Sequence, residues 1–203
     1  MLAHVIEVAS GQPFAEFRES RIFKPLGMVD TDFYVPETKL FRLVDPLPGG
    51  RPALWDVTKA SRLFSGGGGL VSTAHDYMRF CQMLLNCGEL DGVRILAPHT
   101  VQQMTTASLP PDTRFAGVVG GLMGPRWGSG WGLGFAVRTD PSSLLPGRIG
   151  SFTWGGVWGT RFWIDPAEKL AVVQMLQIEP ADDNGRHRRA LANLTYEALR
   201  RSP

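Results

Sequence analysis

An α+β fold follows from three features of this 203-residue sequence. Apolar residues recur at helical spacing near its start and again around residues 74–88. The period changes to two after residue 130. A final helical stretch rich in arginine then closes the chain. The expected architecture is therefore helices, then an antiparallel β-meander, then a covering C-terminal helix. The helical and loop region spans 1–130, and the strands with their last helix span 131–203.

Each element has its own local signal. Leu2, Val5, Ile6 and Ala9 mark a first helix, which Gly11 is placed to end. A second helix starts near Pro13, buries Phe14, Phe17 and Ile22, and stops at Pro25 and Gly27. Residues 30–65 carry four prolines without periodicity and read as extended loop. In "SGGGGLVSTAHDYMRFCQMLLNCGEL", Thr73 followed by Asp76 forms a capping box. Tyr77, Cys81, Leu84 and Leu85 make the apolar stripe of that helix, and Gly88 closes it. Val93–Ile95 is strand-like, a short helix begins at Pro98, and 108–130 return to loop. The runs 131–138, 148–155, 159–165 and 169–178 alternate as strands, with a tight turn from Asp165 to Lys169. A helix from Arg186 to Arg200 ends the chain.

Composition excludes several classes. Hydrophobic content of 43% with 20% charged residues fits a globular chain. A net charge of +2 gives no electrostatic footprint for nucleic acid. The late arginines alternate with Ala190, Leu191, Leu194 and Ala198, as on the solvated face of a helix. Cys81 and Cys87 fall on different faces of one helix, so no disulfide joins them, and no cluster has metal-ligand spacing. His4, His75, His99 and His187 are scattered and read as surface positions. No metal and no cofactor is expected, and no run of about eighteen apolar residues marks a membrane span. The absence of a signal pattern points to the cytoplasm only insofar as Met1 is the natural start.

Motifs that carry chemistry are few. Gly66–Gly69 is followed by Leu70-Val71 where a phosphate-binding loop needs Lys-Ser or Lys-Thr, so nucleotide binding is rejected. The sequence has neither a Gly-x-Ser-x-Gly elbow nor a Ser-x-x-Lys motif. One stretch stands apart: "TWGGVWG", residues 153–159, puts Gly155 and Gly156 inside a strand, where glycine ordinarily weakens a sheet. Either the strand bends sharply there, or its backbone approaches a ligand and offers an N–H to an oxyanion.

The run "FTWGGVWGTRFWIDPAEKLAVVQMLQ" resembles the third motif region of the serine β-lactamase-like superfamily. That superfamily includes class C β-lactamases, penicillin-binding proteins and family VIII carboxylesterases. "GQPFAEFRESRIFKPLGMVDTDF", "SGGGGLVSTAHDYMRFCQMLLNCGEL" and "GWGLGFAV" extend the resemblance in family order over nearly the whole chain. It implies a partial β-lactamase/transpeptidase-like fold in one partial domain, residues 1–203. Trp154-Gly155-Gly156 matches the Trp-Gly-Gly form of the motif and would line the substrate. Val157 would give its backbone N–H to the oxyanion hole. Trp154 stands where many relatives carry a cation for the substrate carboxylate, so a small ester or amide is the implied substrate. Loops around Ser65–Gly69 and 120–130 would rim the pocket.

The departure is the family's nucleophilic Ser-x-x-Lys and its partner tyrosine, which precede the segment matched by Leu2–Phe14. Tyr34, Tyr77 and Tyr196 lie in other contexts. The resemblance therefore implies the C-terminal half of a serine hydrolase, inactive alone. Its alternatives are a non-catalytic binding domain and one half of a split enzyme. Apolar surface near Leu2, Val5 and Ile6 should lie exposed, open to an N-terminal half or to self-association.

Overall fold

A computed structural model describes residues 1–46, 56–60, 64–110, 129–178 and 186–201. Helix α1, Leu2–Ser10, ends as expected where Gly11 turns left-handed at φ 68° and donates to the Glu7 carbonyl. None of its residues is buried, and Leu2, Val5 and Val8 stand exposed. The Glu7 carboxylate accepts the Phe14 N–H at 3.1 Å, tying α1 to the start of the second helix. That bond, with a further one from His4, holds the carboxyl below its usual range.

Helix α2, Phe14–Arg18, runs into a π-helical turn over Glu19–Phe23, with Pro13 at the cap rather than in the first turn. This corrects the expected buried face. Phe14, Phe17 and Ile22 are only half-buried, whereas Arg18, Phe23, Leu26 and Met28 go inside. The wider turn, closed by Lys24 N–H on the Glu19 carbonyl at 2.9 Å, inserts a residue and rotates the apolar stripe. Arg18 is only partly satisfied: its Nη2 donates to Asp32 at 2.6 Å and its guanidinium lies over the Phe33 ring at 4.2 Å, while Nε and Nη1 are buried without a hydrogen-bond partner among the described residues.

Between residues 30 and 46 the chain is not all extended. It forms a 3-10 helix over Glu37–Arg42, and Asp32 pairs with Val71 in an isolated bridge. The helix brings Lys39 and Arg42 onto Asp30, at 2.5 and 2.9 Å. These partners, Lys39 first, hold the Asp30 carboxyl below its usual value. The group is therefore stabilising above the ordinary carboxylate pKa, and that contribution is lost as pH falls through the lowered folded value. Asp30→Asn should consequently flatten the acid limb of the stability curve in urea titrations between about pH 5 and 2. An unchanged limb would remove Asp30 from the account.

Helix α3, Ala74–Leu85, starts where Thr73 Oγ1 accepts the Asp76 N–H at 3.2 Å. Only half of the capping box forms. The buried Asp76 carboxylate instead takes the Asp30 N–H at 2.7 Å and the Thr31 hydroxyl at 2.9 Å. Cys81, Met83 and Leu84 face the core, and Tyr77 and Leu85 are half-buried beside them. Burial pushes the Cys81 thiol up to about 12, and both cysteines are free. Past the helix, Gly88 at φ 98° accepts the turn back into the hairpin of β1, Glu89–Leu90, and β2, Val93–Arg94. Helix α4, Pro98–Met104, begins with its proline in the first turn.

Five strands form an antiparallel sheet in chain order: β3, Ser129–Trp131; β4, Ala136–Arg138; β5, Phe152–Gly155; β6, Arg161–Asp165; and β7, Leu170–Gln174. The expected single strand at 131–138 is a hairpin, because Gly132 N–H bonds the Phe135 carbonyl and Gly134 turns at φ 90°. Likewise 148–151 is turn, with Gly150 at φ 91°, and β5 begins only at Phe152. The Asp165–Lys169 turn forms as expected, with Asp165 Oδ1 accepting the Ala167 and Glu168 N–H groups.

Strand alternation divides the sheet into two faces. Val137, Phe152, Phe162 and Ile164 pack under α3 in the main core. Thr153, Arg161, Trp163 and Asp165 point the other way, toward the C-terminal helix α5, Arg186–Arg201. The Tyr196 hydroxyl donates to the fully buried Asp165 at 2.9 Å and fastens α5 to that face. Burial, then the hydrogen bond to Asp165 and its charge, push this hydroxyl above its usual value. His4, His75 and His99 are exposed as expected, but His187 is half-buried on α5.

Candidate functional site

The Trp-Gly-Gly segment occupies the end of β5 and the start of a tight connection to β6. Gly155 pairs with Arg161, Gly156 N–H bonds the Thr160 carbonyl at 2.9 Å, and Gly159 turns at φ 91° to re-enter the sheet. The three tryptophans of this run take three different environments. Trp163 is 1% exposed within the sheet, Trp158 is half-buried, and Trp154 is 36% exposed. The ring of Trp154 meets that of Trp131 edge to face, with centroids 4.8 Å apart.

Trp154, Gly155, Gly156 and Val157 thus form one contiguous exposed strip. Val157, at the turn, is 51% exposed. Among the described residues no acceptor takes its backbone N–H. Such a donor, held by a closed hairpin rather than by a loose loop, has the character that oxyanion stabilisation requires.

The hairpin also gives the glycines a reason internal to the chain. A Cβ at Gly156 would overlap Thr160 Oγ1, and one at Gly155 would stand 3.0 Å from the Thr160 carbonyl oxygen. The sharp bend therefore accounts for both glycines without a ligand. Gly156→Ala should cost about 1–3 kcal/mol by overpacking. Adding Thr160→Ala should recover much of that loss, since it removes the overlapping atom. A double-mutant cycle in urea checks this, and additive costs would show that the obstacle lies elsewhere.

Other expected site elements have these surroundings. The Ser65–Gly69 turn is closed by Ser65 Oγ accepting the Gly67 N–H, and it packs on Ala3 and Phe33. Of the rim expected at 120–130, only Ser129 and Gly130 fall within the described residues. Tyr77 packs its ring on Phe162 within the core, and burial raises its hydroxyl pKa. Tyr196 is engaged on the opposite face. Sequence patterns did not single out Trp131 as a site residue. The signal available was its place in "GWGLGF", a second glycine-tryptophan run feeding the same sheet. Among the described residues no group of three His, Cys, Asp or Glu side chains could hold a metal ion. No described helix is long and apolar enough to cross a membrane.

A helical layer on an antiparallel five-stranded meander, closed by a C-terminal helix and carrying Trp-Gly-Gly at a strand end, matches about half of the β-lactamase/transpeptidase fold. The family model described as Beta-lactamase matches residues 1–197, and the chain belongs to that family. It is 35% identical over 190 residues to protein Rv1367c of Mycobacterium tuberculosis, covering 87% of this chain and 46% of that one. It is 30% identical over 206 residues to lovastatin esterase of Penicillium rubens, covering 88% and 49%. The solved structure of EstCE1, described as a hydrolase with promiscuous acyltransferase activity, superposes with a TM-score of 0.73 at 25% identity. That match covers 96% of this chain and 54% of EstCE1. The chain thus spans about half the length of the relatives it matches.

Proposed function

We propose that this chain supplies the oxyanion wall of a serine acyl-hydrolase site of esterase type. Val157 gives its backbone N–H to the developing oxyanion, and Trp154, Gly155 and Gly156 line the acyl group of a small ester or amide. The observation that carries the reading is the strip itself: an exposed N–H without an acceptor among the described residues, next to an exposed tryptophan, on a hairpin fixed by Thr160. Trp154 presents an uncharged ring, which suits a neutral ester better than an anionic lactam. The esterase among the relatives favours the same class.

The nucleophilic serine, its lysine and the tyrosine come in this reading from polypeptide other than residues 1–203. An exposed apolar face on α1, with Leu2 74% and Val8 72% accessible, favours a completing half over an independent binding domain. The test has two arms. The purified chain alone should neither hydrolyse nitrophenyl acetate nor react with a fluorophosphonate probe. Joined in one polypeptide behind the part of EstCE1 outside the match, it should turn the ester over. In that fusion Val157→Pro, which deletes the N–H, should lower kcat about 10²–10³-fold. Probe labelling of a serine in the chain alone, or an unchanged kcat in Val157→Pro, would overturn the reading.

A further inference from the structure

Trp154 does not stand alone at the exposed strip. Its indole meets that of Trp131 nearly at right angles, with the rings tilted by 75° and their centroids 4.8 Å apart. The two residues belong to β5 and β3, which are separated in the sheet by β4. Strands two places apart lie about 10 Å from one another, so only two long side chains close that gap. Trp154 is partly exposed and Trp131 is half-buried. One ring therefore keeps a free surface at the candidate site while the other braces it.

The mount of Trp131 is rigid on both sides. Before it, a Cβ at Gly130 would overlap Ala107 Cβ. After it, a Cβ at Gly132 would overlap the Met104 carbonyl oxygen and stand 3.0 Å from the carbonyl carbon. Both glycines thus let β3 press directly on the chain that leaves α4. The Trp131 carbonyl accepts the Ser108 N–H at 2.9 Å, and the Leu133 N–H donates to the Met104 carbonyl at 2.9 Å. Trp154 has no comparable support from its own strand end, where Gly155 and Gly156 offer no side chain to pack on and Val157 is exposed. Among the described residues, Trp131 supplies the one aromatic contact that Trp154 makes.

We propose that Trp131 is a positioning residue: it holds the Trp154 indole in one orientation, and that fixed plane selects esters whose acyl group is flat and apolar. The substrate side of this inference rests on the proposed function, in which Trp154 lines the acyl group. An indole free to turn about its two side-chain torsions must be ordered when the acyl group arrives, at a cost in affinity. One already braced by a neighbouring ring avoids most of that cost. A flat acyl group such as benzoyl lies against the exposed indole in offset or edge-to-face contact. A puckered ring of the same carbon count touches it at fewer points and gains no quadrupolar attraction. Trp131 thus acts through Trp154, while the oxyanion donor, Val157, is held separately by the hairpin that Gly156 and Thr160 close.

The probes are benzamide and cyclohexanecarboxamide, neutral acyl mimics of equal carbon count. Each is titrated into the isotope-labelled full chain and followed by NMR at the indole N–H signals. The Trp154 signal should shift saturably with benzamide, at an affinity at least about 3-fold above that for the saturated ring. Trp131→Leu should weaken benzamide about 10-fold and erase the preference. The signals of Trp158 and Trp163 should stay in place in that variant, which reports an intact sheet. Trp131→Phe, which keeps an aromatic ring, should recover part of both effects. Equal affinity for the two amides, a benzamide shift that spares Trp154, indifference to Trp131→Leu, or no recovery in Trp131→Phe overturns the proposal. In the EstCE1 fusion, Trp131→Leu should raise KM for a benzoate ester about 10-fold with kcat nearly unchanged, the reverse of Val157→Pro. A fall in kcat with KM unchanged would overturn the positioning role. An inactive fusion strikes the esterase reading instead, and the amide titration in the chain alone still decides whether Trp131 orients Trp154.

Discussion

Trp163→Ala is expected to lower stability by about 3–5 kcal/mol, the range for truncating a large aromatic in a packed interior. The side chain is 1% exposed and sits in β6 between Thr153 of β5 and Val172 of β7. Removing it opens a cavity at the centre of the sheet face that α5 covers. Trp154→Ala, on the neighbouring strand, should cost less than about 1 kcal/mol because its ring is already partly in water. Urea denaturation of the two variants measures the contrast. Comparable losses would mean that the alternation of faces along β5 and β6 is misassigned.

Gly88→Ala should be nearly as damaging, at about 3 kcal/mol or more. Two costs combine at this position. The backbone holds φ 98°, and an added Cβ would overlap the Leu96 carbonyl, with its carbon at 2.8 Å. That carbonyl belongs to backbone and has no rotamer to escape into. Moreover, the Gly88 carbonyl accepts the Ile95 and Leu96 N–H groups, so any shift there disturbs the exit from α3. Gly92→Ala separates the two costs, because Gly92 also has a positive φ, 79°, but faces open space. It should lose only the conformational penalty, about 1–2 kcal/mol. Equal melting temperatures for the two variants would remove the clash from the account.

Sequence patterns reported the elements well where a local rule governs them. Gly11, Thr73 and Pro98 mark helix boundaries because capping is settled within one turn of chain. The Asp165–Lys169 turn is legible for the same reason. The pattern failed where a non-local partner decides. Nothing in "FAEFRESRIF" announces the π-helical turn that sends Arg18 and Phe23 inward, since the aromatic cage around Arg18 draws Phe33 and Phe64 from elsewhere. "WGLGFAVR" has the alternation of one strand, but Trp131 pairs with Ala136, and Val137 and Arg138 pair with the preceding Gly130 and Ser129, so the run turns back on itself.

The candidate site divides along the same line. Residue order alone puts Trp-Gly-Gly-Val in a strand context, leaves it without a Ser-x-x-Lys, and carries the resemblance to one family. Packing between distant segments sets which tryptophan is buried and which faces outward. The same packing makes Thr160 the obstacle that requires the glycines. Those outcomes depend on strand register and helix placement, where a shift of a single residue exchanges the two faces of a sheet.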